Sequence, residues 1–233
     1  MGAIKMTKHY FITGANRGIG LELVKQLLEQ GHKVSATCRN LEKSTDLVAL
    51  KDKFQKQLNV LKLEVTDANS IKACLDQIDQ VDIVLNNAGM LAGYQTSIED
   101  VDLAEIRKTF EVNTMAPIAI TKQILPKLNP GAKLFHMSSK VGSIAENTSG
   151  FAYSYRISKT ALNMFNKSLS INLKPKGFSS IVLHPGWVQT DMGGDQAPTT
   201  QAQSAAGLIQ VMNSKSIDQT GEFFDFEGKS IPW

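Results

Sequence analysis

Tyr155 and Lys159 stand four residues apart in the stretch Tyr155-Arg156-Ile157-Ser158-Lys159. Residues at that spacing share one face of a helix. A phenol is a poor proton donor near neutral pH, because its reference pKa is about 10. A neighbouring ammonium favours the phenolate and lowers that pKa. The pair is therefore a tunable acid/base, provided a substrate and a second reactant are brought to it. Tyr-x-x-x-Lys arises often by chance, so the rest of the chain decides the reading. Tyr153 is a second phenol nearby, but no lysine follows it by four, and Tyr155 is the better candidate.

The element that must carry the pair is a helix-period run through Ala161, Leu162, Phe165, Leu169 and Leu173, stopped by Pro175 and Gly177. The element that would bring the second reactant is at the other end of the chain. His9-Tyr10-Phe11-Ile12 reads as a short buried strand and runs into Thr13-Gly14-Ala15-Asn16-Arg17-Gly18-Ile19-Gly20. Leu23, Val24, Leu27 and Leu28 follow at helix spacing, closed by Gly31. In this strand-turn-helix, Gly14 and Gly18 permit a tight turn and close approach of a pyrophosphate. Gly20 lets the helix pack near the strand, and the helix N-terminus supplies amides and a positive dipole end. The next strand, Lys33–Cys38, should end on an acid if it binds a ribose 2′-hydroxyl. It ends instead in Cys38-Arg39-Asn40. Arg39 and Arg17 are planar, permanently charged forks suited to a 2′-phosphate, which favours NADP(H) over NAD(H).

Further on, helix and strand signals alternate: a helix over 41–54, strand 57–63, helix 67–78 and strand 81–85. This alternation predicts an α/β chain with a parallel sheet covered on both faces. Asn86-Asn87-Ala88-Gly89 follows the fourth strand at the carboxyl edge, where such folds bind ligands. A long helix over 103–128 carries Asn113 and should bend at Pro117, which frees the Asn113 carbonyl for water. Strand 132–137 ends in Ser138-Ser139, and strand 180–184 in Pro185-Gly186-Trp187-Val188-Gln189-Thr190. Residues 192–200, rich in Gly and Pro, sit where a lid would be. A helix over 201–212 and a last strand over 221–226 complete the chain.

Composition narrows the class. The chain has 233 residues, 42% hydrophobic, which is ample for one large domain. Net charge is +3 with no basic run, so nothing points to nucleic acid. No stretch reaches the length of a membrane span, and Met1 to Lys8 is too short and polar for a secretory signal. Cys38 and Cys74 read as buried free thiols, which suits a cytoplasmic location.

Taken together these residues resemble the short-chain dehydrogenase/reductase family. The match comprises Thr13-Gly14-x-x-x-Gly18-x-Gly20, Asn86-Asn87-Ala88-Gly89, Asn113, Ser139, Tyr155-x-x-x-Lys159 and Pro185-Gly186, in the family's order. Within it the chain looks like carbonyl-reductase-like members of the C-factor and sniffer type. The resemblance implies a single-domain α/β Rossmann fold over 1–233, a doubly wound parallel sheet of about seven strands, and an oxidoreductase in which Tyr155 protonates a carbonyl oxygen. It implies that Lys159 lowers the Tyr155 pKa and binds the nicotinamide ribose, that Ser139 hydrogen-bonds the substrate oxygen, and that Asn113 holds a water linking Lys159 to solvent. Gly14, Asn16, Arg17, Gly18, Ile19 and Gly20 would cradle the pyrophosphate and adenosine side; Asn87, Ala88 and Gly89 would line the ribose; Val188 and Thr190 would fix the nicotinamide amide. Glu64-Val65 stands where the family often has Asp-Val against adenine. Glu146 to Phe151 looks like a small insertion beside the pocket.

The leading expectation is thus an NADPH-dependent reductase of an aldehyde, ketone or quinone, with Met90, Leu91, Val141, Trp187 and Met192 as pocket candidates. Its rival is a non-catalytic dinucleotide sensor or signalling protein; an isomerase or dehydratase on the same fold comes third. Helices around Asn113 and after Tyr155 could pair subunits into a homodimer or homotetramer. The basic end of the second strand yields a first prediction: Arg39→Ala raises the Michaelis constant for NADPH more than that for NADH. Equal effects on the two would remove the 2′-phosphate role.

Overall fold

The computed structural model describes residues 7–233; residues 1–6, most of the stretch weighed above as a signal, lie outside that range. Seven parallel strands form one sheet in the order β3-β2-β1-β4-β5-β6-β7. They are β1 His9–Ile12, β2 Lys33–Cys38, β3 Leu58–Lys62, β4 Val81–Asn86, β5 Leu128–Met137, β6 Ser179–His184 and β7 Phe223–Asp225. The helices are α1 Gly18–Glu29, α2 Thr45–Lys53, α3 Ala68–Leu75, α4 Leu103–Phe110, α5 Ala116–Ile124, α6 Tyr153–Leu173 and α7 Gln201–Ser214. The parallel doubly wound sheet is as the alternation of signals required. Strand order reverses between β1 and β4, so the crevice at their carboxyl ends is where such sheets take ligands.

The central strands are buried almost without interruption, as strands covered on both faces must be. Two apolar clusters result. One joins α1 and α7 to the sheet through Leu23, Leu27, Leu208 and Met212. The other joins α3 and α5 through Ile71, Leu75, Ile120 and Ile124. Both cysteines are free and buried. Among the described residues no helix is long and apolar enough to cross a membrane.

Three elements differ from expectation for physical reasons. The helix expected over 103–128 is broken before Pro117, not at it, by a π-helical turn over Glu111–Met115. Pro117 has no amide to give the Asn113 carbonyl, and widening the turn just upstream accommodates this. β5 begins earlier than expected, at Leu128. Leu128 pairs with Val81, and a register shift absorbs Pro130 and Gly131. The last strand shortens to Phe223–Asp225, since Gly221 has φ +82° and ends a turn.

Candidate active site

Each participating side chain is placed by a different element at the carboxyl edge of the sheet. α1 is the simplest case. The residue before it, Arg17, has extended backbone and makes no side-chain cap, and no acid occupies the first turn. α3, α4 and α7 are each capped by a side chain, from Asp67, Asp102 and Thr200. The first-turn amides of α1 are thus left to an anion. The turn leading to them is held tight. Gly14 has φ +65°, and a Cβ there would lie 2.9 Å from the Ala88 backbone. A Cβ on Gly20 would meet the Gly14 carbonyl at 2.3 Å and the Asn87 amide at 2.7 Å. A turn closed this tightly before uncapped helix amides suits a pyrophosphate.

The Asn87 side chain explains why that turn is so closely wrapped. Its Nδ2 donates to the carbonyls of Thr13 and Gly14, both at 2.9 Å. The Thr13 hydroxyl in turn accepts from the Asn87 and Ala88 amides at 3.0 Å. Asn87 and Thr13 thus lace the end of β4 to the end of β1, and the Asn87 amide is spent on that task. Glu64 turns back on its own loop, accepting from the Thr66 hydroxyl at 2.9 Å, while Val65 packs against the second core cluster. Arg39 is exposed at the end of β2, beside the same crevice edge. Val188 is buried, and the Thr190 side chain approaches Gly18, whose Cβ would lie 3.4 Å from the Thr190 methyl.

Tyr155 and Lys159 lie on the first turns of α6 with Lys159 Nζ 5.5 Å from the phenol ring centre. Lys159 is buried, and its ammonium donates to the Met137 carbonyl at 2.8 Å. Gly142 makes this possible: a Cβ there would sit 2.8 Å from Lys159 Cβ. The Gly142 carbonyl accepts from Thr160 Oγ1 and Asn163 Nδ2, at 2.9 and 3.1 Å, and Ser138 Oγ donates to Asn163 Oδ1 at 2.7 Å. Ser138 therefore binds β5 to α6, leaving Ser139 half-exposed beside Tyr155. Asn113 holds the fourth side. Its Oδ1 accepts from the Met90 amide and its Nδ2 donates to the Met90 carbonyl, both at 2.8 Å, and to Ser158 Oγ at 3.0 Å. Gly89 fits between Asn113 and Lys159, where a Cβ would be 3.3 and 3.5 Å from their polar atoms.

The electrostatics run against the simplest expectation. Desolvation pushes the Tyr155 phenol up to about 12, and a hydrogen bond with Ser139 acts the other way. Lys159 does not draw it down; burial instead brings the ammonium itself down to about 7. His136 on β5 is also fully buried and is pushed down to about 3, first by burial and then by Lys159, so it stays neutral. The reason is one of dielectric: each group is desolvated more than it is compensated.

Of the pocket candidates, Trp187 and Met192 are well exposed at the rim. Val141 lines a groove against the exposed side of α6, with Ile144, Arg156, Ile157 and Met164. Sequence reasoning assigned no role to Gly142, Ser158, Thr160 or Asn163. Only their contacts reveal them, although Ser158 and Asn163 fall near Tyr155 and Lys159 on the helix.

A family model described as short chain dehydrogenase matches residues 8–201. C-signal of Myxococcus xanthus is 44% identical over 155 residues, spanning 66% of this chain and 93% of that protein. The carbonyl reductase Sniffer of D. melanogaster superposes with a TM-score of 0.93 at 32% identity, covering 98% of this chain and 100% of that one. An NADPH-bound carbonyl reductase from chicken fatty liver does so with 0.89 at 33%, over 97% and 99%.

Two predictions arise from this packing. Gly142→Ala displaces Lys159 and lowers turnover at least tenfold, while overpacking costs about 1–3 kcal/mol of stability; unchanged kinetics would mean Gly142 does not set the lysine. The second concerns pH. Lys159 titrates near 7 folded and near 10.5 unfolded, so between those values the unfolded chain binds more protons and stability rises with pH. Its destabilising effect is complete below pH 7 and gone above the unfolded value. Lys159→Met therefore gains most in melting temperature at pH 6, with the advantage shrinking towards pH 10; a gain independent of pH would contradict the assignment.

Proposed function

Because this chain belongs to the short-chain dehydrogenase family, we propose that it is an NADP(H)-dependent carbonyl reductase that takes an aldehyde, ketone or quinone to the corresponding alcohol. The observation that carries this reading is the convergence of Ser139, Tyr155 and Lys159 beside an uncapped, glycine-lined helix N-terminus. Either half alone would be ambiguous. An anion cradle without an acid binds a nucleotide; an acid without the cradle has no partner reactant.

The cofactor would be held along the crevice. The Gly14 to Gly20 turn and the α1 amides take the pyrophosphate, with Asn16 and Ile19 on the adenosine side. Arg17 and Arg39 take a 2′-phosphate. Glu64 and Val65 lie on the adenine side, and Ala88 and Gly89 line a ribose whose turn Asn87 braces. Val188 and Thr190 hold the nicotinamide amide. When bound, the reduced nicotinamide supplies a hydride to the carbonyl carbon.

The chain's own residues deal with the oxygen. Ser139 donates a hydrogen bond to it, countering the negative charge that develops there. Tyr155 gives up its phenolic proton, forming the O–H bond of the alcohol. A raised pKa keeps the phenol protonated for this direction of reaction. Lys159 serves binding and proton supply: of its three ammonium protons one is held by Met137, and the others remain for the ribose and for a proton path that replenishes Tyr155. That path runs to water at the Asn113 main-chain carbonyl, which Pro117 cannot satisfy. The location that suits this chemistry is the cytoplasm, where thiols such as Cys38 and Cys74 stay reduced.

Similarity to C-signal supports a second reading, in which dinucleotide binding serves a signalling role. Tyr155→Phe separates the two. The variant keeps NADPH affinity but loses about 10²–10⁴-fold in turnover of a carbonyl panel followed by NADPH absorbance. Wild-type turnover without the phenol would remove Tyr155 as the acid; a biological role retained by the inactive variant would favour signalling.

A further inference from the structure

The ion pairs among the described residues are local in sequence, with one exception. Lys25, Lys72, Lys140 and Lys229 each pair with an acid a few positions away. Arg17 pairs with Asp191, 174 residues distant. Arg17 belongs to the glycine turn and Asp191 to the loop after β6, the two segments that flank the crevice from opposite sides.

The ion pair joins two segments that already lie close together. A Cβ on Gly18 would lie 3.4 Å from the Thr190 methyl, so the immediate neighbours of the pair run close to one another as well. The Asp191 turn is rigidly wound: the Gly193 amide donates to Thr190 Oγ1 at 3.0 Å and the Gly194 amide to the Thr190 carbonyl at 2.8 Å. A Cβ on Gly193 would lie 2.0 Å from the Val188 carbonyl, so the turn has no looser form with a side chain there. The turn that carries the carboxylate is therefore held by its own hydrogen bonds. Both side chains stay about three-quarters exposed, at 72% and 76%, so a charged ligand can reach either one.

We propose that Asp191 is a specificity-determining residue: it is the resident anion on Arg17, and it competes with the 2′-phosphate of NADPH for that guanidinium. The inference rests on the NADP(H) reading above and deepens it. A phosphate arriving at Arg17 either displaces the carboxylate or meets it as a like charge. Both outcomes weaken NADPH, and neither bears on NADH, which lacks the 2′-phosphate and leaves the pair intact. Displacement would also release the Thr190–Gly194 turn from the glycine loop, coupling the phosphate end of the crevice to its nicotinamide end.

The test is by direct binding, with no turnover involved. Asp191→Asn keeps size and removes charge at an exposed position. Calorimetric titration with 2′,5′-ADP and with 5′-AMP reads the phosphate contact alone, and NADPH and NADH fluorescence titrations read the whole cofactor. An exposed pair of this kind corresponds to a gain of up to about fivefold. The expected result is 2′,5′-ADP and NADPH binding about two- to fivefold tighter in low salt, an effect that fades as salt screens it, with 5′-AMP and NADH unchanged. Arg17→Ala must abolish that gain in the double variant. Unchanged or weaker NADPH binding in Asp191→Asn overturns the proposal, as does an equal gain in the Arg17→Ala background. If Arg17→Ala alone leaves the NADPH and NADH affinities in their original ratio, the assignment of Arg17 to the phosphate fails instead, which is a separate result.

Discussion

A desolvated ammonium beside a phenol is the constraint that shapes this molecule. Burying Lys159 is costly unless its protons are placed, and the chain places one on the Met137 carbonyl at the very end of β5. That bond ties α6 to the carboxyl end of β5. It requires Gly142, because any side chain there would strike the lysine stem. It also requires polar residues beneath the helix: Ser138, Asn163 and Thr160 satisfy one another and the Gly142 carbonyl where an ordinary helix would bury apolar side chains. Polar contacts of this kind are directional, so they locate the helix more sharply than apolar packing alone.

The glycine turn is governed by the same economy of space. Asn87 and Thr13 use every hydrogen bond they make in that region to join β1 to β4. Gly14 and Gly20 are the positions at which backbone comes too close for a Cβ. The two halves of the site meet at Gly89, where a Cβ would press on both Asn113 and Lys159. Asn113, set in a π-helical turn, clamps Met90 with both ends of its amide. The loop after β4 thus transmits the position of the cradle to the position of the acid.

Electrostatically, the site is arranged in opposition to its solvent references. The phenol is held up, the ammonium down and His136 neutral, all chiefly through burial. A site so desolvated strengthens any charge interaction that a ligand introduces. The contrast with the exposed Arg17–Asp191 pair at the far end of the crevice is one of environment: there, water screens the charges and partners can exchange.

Much of this was legible in the chain. Alternating strand and helix signals specify the doubly wound sheet, because periodicity follows directly from which faces must be buried. The spacing of Tyr155 and Lys159 and the run from Gly14 to Gly20 are local patterns, and local backbone geometry suffices to interpret them. What could not be read was anything decided by contact across the fold. The strand through Pro130 and Gly131 exists because Val81 lies alongside it. The sign of the Tyr155 shift depends on how much water surrounding elements exclude, which spacing cannot convey. Gly142 is one of 17 glycines until Lys159 is seen against it, and Arg17 has no anion until a turn 174 residues away delivers Asp191. Sequence determines which groups exist and which neighbours share a face; dielectric, clearance and long-range pairing arise only when the chain has closed on itself.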